Sequence, residues 1–236
     1  MSKFNGNKKM GDKMKRIALL SVMALVMLVY AAPAQAFDNV GKLGLGIDGG
    51  FAIPGGGDIT ADSSFGDFFD CGPAFGLHVR YGLIKEVTLE AGFRYGFMKM
   101  KDDANDMLPD EPHFVAPEIY INGIWNIGTI FNKTDNIFNP FVKAGVALVP
   151  WKVTDDGAGG DAVVLDNNEE FKKTSFGLNF GGGLEVFATP DLAVYAEGRY
   201  LMLFSEDEDA FGDDFGNLGS INVNVGLTYY LPLSSH

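Results

Sequence analysis

FATPDLAVYAEGRY, residues 187–200, decides the fold. After the turn Ala188-Thr189-Pro190-Asp191 the chain alternates. Leu192, Val194, Ala196, Gly198 and Tyr200 fall on one face of an extended strand, and Ala193, Tyr195, Glu197 and Arg199 fall on the other. Strand side chains point to opposite faces with period two, so spacing alone makes this assignment. One face is apolar and the other is small or charged. If the pattern recurs, the apolar face of a whole sheet must be hidden somewhere.

It does recur. Eight alternating segments follow residue 36, at about 42–53, 73–82, 86–98, 114–126, 140–151, 174–187, 192–203 and 220–231. Pro117 and Phe141 blur the fourth and fifth. The links after the second and sixth are short, and the link 127–139 is intermediate. The links 54–72, 99–113, 152–173 and 204–219 are long and acidic. Long and short connections thus fall at opposite ends of an up-and-down meander with both termini on the short-turn side. No helix-period amphipathic stretch follows residue 36, and Gly, β-branched and aromatic residues dominate, so the class is all-β.

The second face carries Asp48, Arg80, Glu90, Arg94, Glu118, Lys143, Glu185, Glu197 and Arg199, five acids and four bases, together with His78. A soluble barrel with a lipid cavity would turn its apolar face inward and its charges to water. Near-balanced charge at this density fits a polar interior with the apolar face turned to lipid. Strands of about ten residues with apolar-out, polar-in alternation are those of membrane barrels. In hydrocarbon every backbone group must be paired, so the sheet must close. The expected fold is an eight-stranded antiparallel up-and-down transmembrane β-barrel. Phe51, Tyr95, Phe97 and Tyr200 at one rim and Tyr81, Trp125 and Tyr229 at the other fit interfacial aromatic girdles.

The N-terminus agrees. Lys8, Lys9, Lys13, Lys15 and Arg16 precede an apolar run from Ile17 to Tyr30, and Ala34-Gln35-Ala36 supplies small residues for a cut. This is a secretory signal peptide over 1–36, cleaved after Ala36, with Met10 or Met14 as alternative starts. The competing reading is an uncleaved anchor helix, which Pro33 and the A-x-A site oppose. The barrel domain is then 37–236. Residues 1–36 hold six of the 18 basic and one of the 31 acidic residues, so 37–236 carries 12 and 30, a net charge of −18. Such a chain has no long-range attraction for nucleic acid. Cys71 is the single cysteine, so no intrachain disulfide forms despite export.

NPFVKAGVALVP (139–150), GLNFGGGLEVFATPDLAVYAEGRYL (177–201) and INVNVGLTYYL (221–231) resemble the small outer-membrane barrels of the OmpA-transmembrane, OmpX and OmpW type. The resemblance covers nearly all of 37–236, through motifs generic to the superfamily. It implies an eight-stranded barrel in the outer membrane of a Gram-negative bacterium, surrounded by outer-membrane lipid and delivered by the outer-membrane assembly machinery. No periplasmic domain is expected after the eighth strand. The chain ends Pro232-Leu233-Ser234-Ser235-His236 rather than on a terminal aromatic, so Tyr229 or Tyr230 is the candidate assembly signal.

Three chemistries deserve weighing. The interior charges read either as a satisfied electrostatic plug or as the lining of a narrow pore for cations or small apolar molecules. Arg80 and Glu90 lie symmetrically about the 82–86 turn and should face each other. Arg94 is expected to meet Glu118, and Lys143, Glu185, Glu197 and Arg199 to complete a second cluster. Inward glycines (Gly44, Gly46, Gly50, Gly76, Gly92, Gly96, Gly181, Gly183) either leave room for water or permit tight closure. The four long links hold 21 of the 30 acids, which read as a solvated surface, a hard-cation binder, or a contact for an extracellular partner. The interleaved Phe65, Phe68, Phe69, Phe211 and Phe215 are either partner contacts or packing anchors. Catalysis is not expected, since neither His78 nor His113 has a marked serine nearby and the histidines share no ligand spacing. No cofactor or metal is implied.

Overall fold

The computed structural model describes residues 39–60, 63–102, 111–128, 138–165, 168–206 and 215–232. Residues 1–36, read as a signal peptide, lie outside them, as do Asp62, Phe211, His236 and several loop acids. Ten strands are present: β1 (Lys42–Gly56), β2 (Asp58–Thr60), β3 (Ser63–Ser64), β4 (Gly72–Ile84), β5 (Val87–Lys99), β6 (His113–Asn126), β7 (Phe138–Thr154), β8 (Lys172–Phe187), β9 (Leu192–Phe204) and β10 (Leu218–Pro232). Eight of them close a barrel in the order β1-β10-β9-β8-β7-β6-β5-β4, with β4 returning to β1, and every pairing is antiparallel. The expected all-β, eight-stranded, up-and-down barrel is the observed fold. Each of the eight barrel strands coincides with one alternating stretch to within a few residues, whereas β2 and β3 fall in the link 54–72, where no strand was expected. β7 and β8 run further into the long link than the alternation suggested.

The apolar face points outward. Leu77 and Ile119 are each 60% exposed, and Ile47, Phe75, Leu148 and Phe180 are all more than half exposed. Trp125 and Tyr229 stand exposed toward the short-turn end and Phe51 toward the other. In lipid this exposure is burial, so the sheet hides its greasy side in the bilayer.

The inward face departs from expectation in one respect. Toward the short turns it is polar, as the alternation implied. Toward the long links it is a hydrophobic core: Met98, Phe114, Val149, Trp151, Val153, Leu201, Leu203 and Leu218 are buried there. A single helical turn, α1 (Phe65–Phe68), crosses this mouth between β3 and β4. Continuing the period-two alternation puts these positions inside, but Val153 and Leu218 fall in segments read as links, and the inward face had been expected to be small or polar throughout. The apolar end has its own lid to pack against, so it needs no charge.

Candidate functional site

The functional question is whether the interior is open. All nine interior charges are at most 7% exposed. Arg80 Nε donates to Glu90 Oε2 at 2.8 Å, the pair that the short β4–β5 turn places in register. Arg80 Nη1 donates to Glu185 Oε1 at 3.0 Å. β4 and β8 are diametrically opposite in the ring, so this bond crosses the full lumen. Lys143 Nζ lies 3.2 Å from Glu90 Oε1 and 2.5 Å from Glu197 Oε2. Arg94 Nη2 is 2.8 Å from Asp48 Oδ1 and 3.6 Å from Glu197 Oε1. The result is one chain of alternating sign: Glu185, Arg80, Glu90, Lys143, Glu197, Arg94, Asp48.

Two expected pairings differ. Arg94 and Glu118 are neighbours in register but not partners. Gly76 lies between Asp48 and Arg94 in the same row, and an added Cβ there would sit 2.5 Å from Asp48 Oδ2. The missing side chain lets the Arg94 guanidinium reach Asp48, and Arg94 also donates to Asn224. Glu118 instead takes Arg199 from across the lumen, Nη1 to Oε1 at 2.7 Å and Nη2 to Oε2 at 2.6 Å. This two-pronged geometry is the strongest form of the contact. Nor do Lys143, Glu185, Glu197 and Arg199 form a separate cluster. Glu185 joins Arg80, and Lys143 links Glu90 to Glu197.

Several inward glycines seat rings. An added Cβ at Gly46 would meet the His78 imidazole at 2.0 Å, at Gly92 the Tyr120 hydroxyl at 2.5 Å, at Gly226 the Tyr195 ring at 2.5 Å, and at Gly44 the Tyr230 ring at 3.0 Å. Side chains crossing from other strands therefore occupy the space that glycine leaves. Below them Asn39, Thr88, Asn126 and Asn139 join in hydrogen bonds of 2.6–3.2 Å, and Asn139 reaches Glu185 at 3.3 Å. Above, Trp151 stacks on Phe114 and Phe215 with centroids 5.6 and 5.9 Å away, and Phe171 meets it edge-on. Phe65 and Phe69 are packed inward against Phe114, so these loop aromatics are anchors. Between the aromatic and charged layers lies a cavity of about 30 Å³, bordered by Arg94, Glu118 and Asn222.

One arrangement escaped sequence reasoning. Thr228 Oγ1 is 3.0 Å from His78 Nε2, and His78 Nδ1 is 3.5 Å from Asp48 Oδ2. Hydroxyl, imidazole and carboxylate in series is the order of a nucleophilic triad. All three are buried, Thr228 completely, and the Tyr195 hydroxyl closes over Asp48 at 3.2 Å. No signal in the sequence ties positions 78 and 228; only barrel closure through β1 does. His113 stands apart at the start of β6, its Nδ1 2.7 Å from the Glu111 carbonyl. Among the described residues no three His, Cys, Asp or Glu side chains gather as a metal site.

Fold and interior together define a small lipid-facing barrel of the outer membrane. The family model of the outer membrane protein beta-barrel domain matches residues 22–230, and the chain belongs to that family. It is 29% identical over 108 residues to a 22 kDa outer membrane protein of Rhizobium leguminosarum bv. viciae, a match covering 44% of this chain and 47% of the relative. The chain thus spans about half the length of the curated relative it matches. Among solved structures it is similar to Neisserial surface protein A, with a TM-score of 0.52 and 16% identity over 79% of this chain and 96% of that one. It is also similar to OprG of Pseudomonas aeruginosa, with a TM-score of 0.44 and 14% identity over 82% and 98% of the two chains. The protein is an outer-membrane protein.

Proposed function

We propose that this chain is a non-enzymatic outer-membrane barrel with a sealed, charge-paired interior, and that it acts structurally and through its acidic surface loops. The observation that carries this reading is the Arg80–Glu185 bond of 3.0 Å between opposite strands. A wall-to-wall bridge of that length supports a lumen closed at that level. The aromatic layer under α1 and the asparagine floor support the same reading from either end. The absence of catalysis rests on access: the Thr228–His78–Asp48 series faces no solvent. The loops supply the surface role, with Glu111 and Asp102 well exposed. Solvated acids of this kind suit a cationic partner or loosely held cations outside the cell.

The reading is tested by release of a small sugar from vesicles holding the folded protein. Release no faster than from protein-free vesicles is expected, and rapid release would favour a pore for cations or small apolar molecules. We further propose that export removes residues 1–36. N-terminal sequencing of the outer-membrane form should then begin at Phe37.

A further inference from the structure

The β6–β7 ladder is broken once. Pairing runs from His113 to Val115 and again from Ile119 to Asn126, and in the break Pro117 lies opposite Pro150. Neither proline has an N–H to give, so the two strands cannot hydrogen-bond through these nitrogens. A groove of about 530 Å³ lies over this break on the outer wall, lined by Tyr95, Pro117, Pro150 and Lys172 and bordered by Ala158 and Gly159. The border is tied down: Tyr95 Oη donates to the Ala158 carbonyl at 3.3 Å and Lys152 Nζ to the Gly160 carbonyl at 2.7 Å.

At the upper edge Lys152 and Lys172 are directly opposed across β7 and β8. Like charges at directly opposed strand positions are destabilising, and a nearby anion offsets this. Lys172 pairs with Glu170 and Lys152 Nζ donates to the Gly160 carbonyl, so a phosphate held between the two ammonium groups displaces these surface contacts. Two outward positions below Lys152, beyond Pro150, Leu148 and its neighbour Ile119 are strongly exposed to the bilayer. The lysines therefore stand about 13 Å along the tilted strand from these side chains, with the two prolines between, which puts them at the headgroup level. This is a basic edge at the long-loop, external side of a barrel whose loops are otherwise acidic.

We propose that the groove over the Pro117–Pro150 break binds a phosphate-bearing lipid of the outer leaflet, its phosphate between Lys152 and Lys172 and its apolar part against the two prolines. The site sits on the outer wall and does not depend on whether the lumen conducts. The test uses the full processed chain folded in detergent micelles, with bisphosphorylated lipid A as the probe and binding read by native mass spectrometry. Heat-modifiable gel mobility confirms folding of each variant. Lys152→Gln with Lys172→Gln is expected to weaken binding about 30-fold, and Lys85→Gln in the short turn to leave it unchanged. The dephosphorylated lipid should bind the native chain as weakly as the double variant binds the phosphorylated one. Equal binding of both lipids, an equal loss in the Lys85 variant, or displacement of the lipid by millimolar inorganic phosphate would each overturn the proposal, the last pointing to a free-anion site.

Discussion

Arg199 is fully buried, and both of its forward nitrogens are committed to Glu118 while its guanidinium lies 5.3 Å from the Tyr120 ring centre. A buried pair of this kind contributes little net stability, but breaking it strands a charge. Arg199→Met should cost roughly 3–5 kcal/mol in urea unfolding from micelles. Joining it to Glu118→Leu should restore most of the loss, because no charge is then left alone. Strictly additive losses would show that the two do not act as a pair. Gly92 makes a second test. An Ala Cβ would sit 2.5 Å from the Tyr120 hydroxyl and 2.6 Å from the Leu77 carbonyl oxygen, which belongs to the wall and cannot yield. Gly92→Ala should cost about 1–3 kcal/mol by the same measurement. A neutral result would mean that the interior is slack. At this scale the sequence was partly legible. Arg80–Glu90 followed from a short turn that fixes register. Arg94–Asp48 and Arg199–Glu118 did not, because partner choice across a lumen depends on closure and on the space above Gly76.

The strands were legible as elements because each alternates over its whole length, and a one-residue slip would turn every charge into lipid. The α1 turn was not. Phe65 and Phe69 stand among acids, where they read as either partner contacts or packing anchors, and both are buried under the mouth. What fixes the turn is Asp67, whose carboxylate accepts the Ser64 N–H at 2.9 Å and the Ser64 hydroxyl at 2.8 Å. Lys101 Nζ then ties the Gly66 carbonyl to the end of β5 at 2.6 Å. The Ser64 bonds, backbone first, hold the Asp67 carboxyl below its usual range. A depressed carboxyl lends stability that is present above its unfolded value and is lost as pH falls through the folded one. Protease cleavage in the 54–72 link should therefore rise as pH drops below about 4, using an acid-active protease. Asp67→Asn should show raised cleavage already at neutral pH. Identical cleavage of both proteins at pH 7 would mean that the aromatics alone hold α1.

For the whole molecule, two layers with different chemistry close one tube. Ion pairs fill the half near the short turns, and aromatic and aliphatic side chains fill the half under α1. Period-two spacing made the inward face visible from the sequence. The division into layers was hidden because Trp151 and Leu203 lie at strand ends, where alternation gives way to loop. The most direct test of a sealed interior is the conductance of the folded 37–236 chain in a planar bilayer, with gel mobility confirming insertion. A sealed interior predicts a silent bilayer for the native protein and for Arg199→Met with Glu118→Leu, which keeps the lumen filled. Discrete current steps from the native protein, changed in size by Arg80→Ala, would contradict it and place a water path through the charges.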